Sequence, residues 1–221
     1  MIDYKVLILV FCISSFTSFS LILLSFKFDS FIHKLDSHGV QKFHLNPTPS
    51  IGGLSVFMAF SFGLLSINEE SNVLAFFWIA LLPIFVAGTI EDITLRVSPI
   101  HRLFFTLVSI LVAYIWMKVG INSLGFSWID RLFFNFPAFS LLFTLIIVSG
   151  AVNSLNIIDG FNGLLGGYSI LASLAMTYVA YLLGDSMIMQ LCSILAVSTF
   201  GFFIFNFPFG KIFMGDGGAY L

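Results

Sequence analysis

Four carboxylates, Glu91, Asp92, Asp159 and Asp216, lie in short polar segments that interrupt an otherwise apolar chain. Glu91 and Asp92 are adjacent and follow an apolar run directly. That arrangement suits Mg²⁺ or a general base, since the ion takes oxygen ligands and few protein contacts; a solvated helix end would look the same. Asp159 belongs to a row, Asn153, Asn156, Asp159 and Asn162, whose three-residue spacing puts them on one face of a helical turn. Gly160 and Gly163 interrupt that helix, which membrane proteins tolerate where backbone lines a cavity. Such amides are costly at the mouth of an apolar bundle unless they bind something; the bland alternative is an asparagine-rich capping loop. Asp216 stands among Gly215, Gly217 and Gly218 where a helix would start, as a ligand-binding acid or an N-cap. Phe213 either stacks on a flat base or packs.

The remaining polar segment, Lys27 to Thr48, carries Lys42 and His44 and runs into Pro47-Thr48-Pro49-Ser50-Ile51-Gly52-Gly53. The prolines hold the chain extended, and the glycine pair lets backbone amides approach a ligand or a helix closely. Cations and free amides at a helix start suit a phosphate; a basic loop with a small-residue packing contact is the plain alternative.

What must position these residues is a set of membrane helices. Of the 221 residues, 59% are hydrophobic and 9% charged, far from the roughly 25% charged of a soluble domain. A net charge of −2 gives no reason to expect nucleic acid as a partner. Cys12 and Cys192 fall inside apolar runs and read as small hydrophobes. A spanning helix needs about 20 apolar residues. The expected fold is an all-α polytopic membrane bundle forming one integral domain over residues 1–221, with about seven spans and the start of an eighth. The seven are Tyr4 to Phe26, Gly53 to Ile67, Val73 to Ile90, Leu103 to Lys118, Pro137 to Val152, Gly166 to Gly184 and Met187 to Phe207. Gly120 to Phe136, with Trp128 and Arg131, reads as interfacial.

The polar segments occupy every second connection, which places all of them on one membrane face. Lys27, Lys34, Lys42, Arg96, Arg102 and Lys211 lie on that face, against Lys5, Lys118 and Arg131 on the other. Six cations against three make the polar face cytoplasmic. Acids 91, 92, 159 and 216 would then surround a metal while cations and amides approach phosphates. One end of such a site opens on lipid and the other on cytoplasm. That suits phosphoryl transfer between a soluble nucleotide compound and a membrane-dissolved phosphate. A transporter would place carboxylates near the bilayer midplane instead.

In order and spacing, these segments resemble the polyprenyl-phosphate N-acetylhexosamine-1-phosphate transferases (glycosyltransferase family 4) from about Asp36 onward. The resemblance implies transfer of a sugar phosphate from a UDP-N-acetylhexosamine to undecaprenyl phosphate, with release of UMP, at a multi-pass site on the cytoplasmic face of the bacterial inner membrane. Such a reaction starts O-antigen or related cell-wall glycans. It implies Asp216 as ligand to Mg²⁺, with Mn²⁺ as the alternative ion. Phe213 and Asn206 would lie against uridine, and Asp159, Asn153 and Asn156 would line the nucleotide-sugar pocket. Asp92 would be the second acid of the family's pair, often proposed as the base that deprotonates the lipid phosphate. A homodimer is compatible with the pattern.

Glu91 replaces the family's usual first aspartate, Asn162 its second aspartate in the third motif, and Gln41 a common arginine. The stretch Pro47 to Gly53 is closer to the GlcNAc-phosphate transferases of surface polysaccharides than to the peptidoglycan enzyme. The family's later histidine-rich loop and last helices have no counterpart before Leu221. A C-terminally truncated chain is therefore expected, inactive alone.

Overall fold

The computed structural model describes residues 3–27, 48–67 and 71–221, and the regular structure among them is helical. In chain order the helices are α1 (Tyr4–Lys27), α2 (Gly53–Leu65), α3 (Ser71–Thr94), α4 (Pro99–Trp116), α5 (Ser127–Asn135), α6 (Pro137–Ile158), α7 (Leu164–Leu183), α8 (Ser186–Asn206) and α9 (Gly215–Ala219). Six of them, α1, α3, α4, α6, α7 and α8, are long and apolar enough to cross a membrane. The polytopic helical bundle expected from the sequence is present, with one adjustment. With 13 residues, α2 reaches only about 20 Å at 1.5 Å per residue, short of a hydrocarbon core of about 30 Å. Part of the stretch Gly120 to Phe136 is helical, as α5.

Helix ends run beyond the hydropathy signal where function is concentrated. α3 continues to Thr94, so Glu91 and Asp92 lie in its last turns, and α6 continues to Ile158 and carries Asn153 and Asn156. α4 begins at Pro99, four residues before its expected start, which takes Arg102 into its first turn. Backbone hydrogen bonds propagate a helix through polar residues that an apolar-run criterion leaves out.

α8 packs against α1, α2 and α7, while α3 pairs with α4 and α4 with α6. α9 is wedged among α2, α3 and α6. Phe202, Val56, Leu165, Ile212 and Met214 form a buried cluster directly beneath the polar end. A second cluster, around Val10, Phe60, Leu64 and Ile194, lies elsewhere between α1, α2 and α8. Serines tie these helices together where lipid offers no hydrogen bonds. The Ser14 hydroxyl donates to the Ser198 carbonyl at 2.5 Å, and the Ser18 hydroxyl donates to the Ser55 hydroxyl at 2.7 Å. Pro83 lies inside α3, and the next amide, Ile84, donates to Ser109 Oγ of α4 at 3.2 Å.

Candidate active site

The site is organised around one turn, residues 212–217, which links α8 to α9. A neighbouring segment grips it by backbone pairing. Phe213 N–H donates to the Pro49 carbonyl at 2.9 Å, Gly52 N–H to the Phe213 carbonyl at 2.8 Å, and Gly53 N–H to the Met214 carbonyl at 2.7 Å. The proline–glycine stretch before α2 therefore binds this turn through its backbone. The approach is close enough that a Cβ on Gly53 would sit 2.2 Å from Gly218 N. Gly215 has φ +75°, a left-handed conformation for which glycine is the favoured residue.

Acids from two other helices hold the same turn. Asp92, 7% exposed at the end of α3, accepts Asp216 N–H at 2.7 Å with one oxygen and Gly217 N–H at 2.9 Å with the other. Asp159, at the C-terminal end of α6, accepts Gly215 N–H at 2.7 Å. Three successive amides of the turn thus point at two carboxylates. The Asp216 side chain forms an ion pair with the Arg102 guanidinium from α4. Met214 occupies the cap position of α9 and Asp216 lies in its first turn, so the N-cap reading of Asp216 is corrected.

Asp92 and Asp159 both lie close enough to Asp216 for like-charge repulsion. Burial raises the Asp159 carboxyl to about 7, its amide bonds pull the other way, and Asp216 adds to the rise. Tyr220, just past α9, accepts a hydrogen bond from Asn156 Nδ2 at 2.8 Å. Burial first, and the charge of Asp216 second, push its phenol above the ordinary tyrosine range.

The other expected site residues take different places. Asn153 donates to the Ser149 carbonyl of its own helix at 2.7 Å, and Asn162 packs against Gly210 with a buried side-chain oxygen. Asn206 is 2% exposed. Its oxygen accepts Gly163 N–H at 2.7 Å and its nitrogen donates to the Ile212 carbonyl at 2.8 Å. Phe213 is 5% exposed, in keeping with the packing alternative. Glu91 turns to its own connection, where it accepts Val97 N–H at 2.6 Å. Lys42 and His44 lie outside the described residues.

The expected ring of four acids around a metal is not formed. Among the described residues no group of three or more His, Cys, Asp or Glu is placed to hold an ion. Glu91 and Asp92 instead secure backbone amides. Mg²⁺ commonly needs only one or two carboxylates when substrate phosphates complete its shell. Asp216, whose carboxylate meets the Arg102 guanidinium and none of the turn's amides, suits that lesser requirement.

Arg102 is the site residue the sequence reading did not single out. It counted as a loop cation because the helix was placed from Leu103. The usable signal was a cation four residues from the Ser98-Pro99 helix start, since charges carried within membrane helices mark functional sites. Tyr220 had no signal of its own.

Comparison with known proteins agrees with the motifs. Residues 74–221 match the family model for glycosyl transferase family 4. The chain is 29% identical over 190 residues to a probable undecaprenyl-phosphate N-acetylglucosaminyl 1-phosphate transferase of Bacillus subtilis, covering 85% of this chain and 52% of that protein. It is 29% identical over 187 residues to an undecaprenyl-phosphate alpha-N-acetylglucosaminyl 1-phosphate transferase of Thermotoga maritima, covering 85% and 53%. It is also 30% identical over 188 residues to a phospho-N-acetylmuramoyl-pentapeptide-transferase of Streptococcus pneumoniae, covering 78% and 55%. The chain spans about half the length of the curated relatives it matches. With two acid-bearing helix ends gathered on one glycine-rich turn and a family match over most of its length, the chain belongs to glycosyl transferase family 4.

Proposed function

We propose that the protein transfers N-acetylhexosamine 1-phosphate from a UDP-amino sugar to undecaprenyl phosphate, releasing UMP, at the cytoplasmic face of a bacterial inner membrane. An oxygen of the lipid phosphate attacks the sugar-bearing phosphorus, and the bond from that phosphorus to the bridging oxygen breaks. The observation that carries this reading is the gathering of Asp92, Asp159, Asp216 and Arg102 on one turn at the polar end of an apolar bundle. A diphosphate can reach that end from water and a polyprenyl phosphate from lipid.

Asp216 and Asp159 would hold Mg²⁺, and the ion when bound would neutralise charge on the transferring phosphate. Asn153 and Asn156, on α6 beside Asp159, line the approach of the nucleotide sugar in this reading, with Lys42 and His44 meeting its phosphates. We assign Asp92 a positioning role in place of the base. Each of its oxygens already accepts an amide, and it is buried away from an incoming lipid. Asn206 and Phe213 support the turn from beneath, and Glu91 fixes the connection that leads to Arg102.

Two measurements test the reading. In nanodiscs, UDP-GlcNAc with Mg²⁺ should raise the thermal stability of the chain, and Asp159→Asn or Asp216→Asn should remove the effect. In a chimera, residues 1–221 replace the matching part of the Bacillus subtilis relative, and UMP release from UDP-GlcNAc with undecaprenyl phosphate is followed. Absence of nucleotide stabilisation together with an inactive, folded chimera would sink the proposal.

A further inference from the structure

We infer that Arg102 is the resident counter-ion of Asp216 in the metal-free protein, and that a divalent cation binds by displacing it. This rests on the metal-assisted reading proposed above and adds a competition within that site. Three observations converge. The Arg102 guanidinium is paired to the one acid of the turn whose side chain is not committed to a backbone amide. Asp92 and Asp159 hold the backbone of the same turn, so the cation on Asp216 stands among three carboxyl groups. Arg102 Nε is buried without a hydrogen-bond partner, so this pairing leaves part of the guanidinium fork unused.

A divalent ion and a guanidinium on one carboxylate repel each other, so an ion bound at Asp216 weakens its hold on Arg102. On metal binding Arg102 is released, and its fork matches the oxygens of a phosphate that accompanies the ion. The arginine thus keeps the empty acid cluster neutralised and couples metal entry to phosphate entry. Arg102 is in this sense a positioning residue whose partner changes.

The test is Mn²⁺ binding to the full chain in nanodiscs, followed by electron paramagnetic resonance of the free ion. Arg102→Gln removes the competitor, and Arg102→Lys retains a charge with a weaker grip. The ion pair is partly exposed, with side chains 20% and 17% accessible, so its removal should tighten Mn²⁺ binding about fivefold. Arg102→Lys should fall between wild type and Arg102→Gln, and Asp216→Asn should abolish binding. Saturating UDP should tighten Mn²⁺ binding more in wild type than in Arg102→Gln, because only wild type has an arginine to transfer. An arginine that merely supports the structure gives the opposite sign, weaker Mn²⁺ binding in Arg102→Gln. Equal or weaker binding that still depends on Asp216 would overturn this inference and leave the metal reading standing. Mn²⁺ binding that ignores Asp216 in every variant would remove both.

Discussion

Asn206→Ala separates a structural clamp from a ligand contact. The side chain is 2% exposed and both ends of its amide are engaged, one with Gly163 N–H at 2.7 Å and one with the Ile212 carbonyl at 2.8 Å. These two bonds join the start of α7, the end of α8 and the turn that leads to Asp216. Truncation leaves the half-buried Gly163 N–H and the buried Ile212 carbonyl without partners, each costing about 1–3 kcal/mol. The expected loss is therefore about 2–5 kcal/mol, with a small further cost from the void. Asn206→Asp keeps the bond to Gly163 but sets a carboxylate against the Ile212 carbonyl, so it should cost at least as much. Urea or thermal unfolding in detergent micelles measures the loss, and UDP binding measured on the same samples shows its origin. If Asn206 instead contacts the uridine, Asn206→Ala will weaken nucleotide binding with unchanged stability. That result would refute the clamp.

Further predictions concern the same turn. Gly53→Ala places a methyl 2.2 Å from Gly218 N and 2.5 Å from Gly218 Cα, backbone atoms that cannot swing aside. It should cost about 1–3 kcal/mol and lower nucleotide affinity, as read by unfolding and by UDP titration. Asp92→Asn keeps an acceptor for one amide and turns an NH₂ toward the other, so turnover of the chimera should fall at every pH. A lost acidic limb in its pH–rate profile would return Asp92 to the role of base. Asp159, raised to about 7 from an ordinary 3.8, holds a proton in the folded state that the unfolded chain has released. Metal-free stability should therefore fall as pH rises from about 4 to about 7 and level off above. Asp159→Asn should flatten that slope, and a slope unchanged by the substitution would contradict the burial argument.

The membrane bundle was legible because a bilayer imposes a simple rule on sequence. Runs of about 20 apolar residues and charges confined to their ends leave little choice of architecture. The alternation of polar connections had the same source, and it correctly brought together Asp92, Asp159, Asp216 and the Pro49–Gly53 stretch. Hydropathy failed at helix ends, where main-chain bonding continues through Glu91, Asp92, Asn153 and Asn156. It failed also for α2, whose length is limited by the Gly53 contact at one end and by the turn at Ser66 at the other.

What each polar residue does was decided by partners far away along the chain. Asp92 meets the amides of Asp216 and Gly217 across 124 and 125 residues, and Arg102 meets Asp216 across 114. No spacing pattern reports such pairings, because they depend on how α3, α4, α6 and α9 pack at one end of the bundle. The sequence by itself determined that the acids of three separate polar segments would gather at one end of a helical bundle. Only the tertiary structure decided that Glu91, Asp92 and Asp159 hold backbone, that Asn206 is a clamp, and that Asp216 faces an arginine. The reason is physical: a buried polar group takes the partner that packing leaves within about 3 Å, and chain order does not specify that distance.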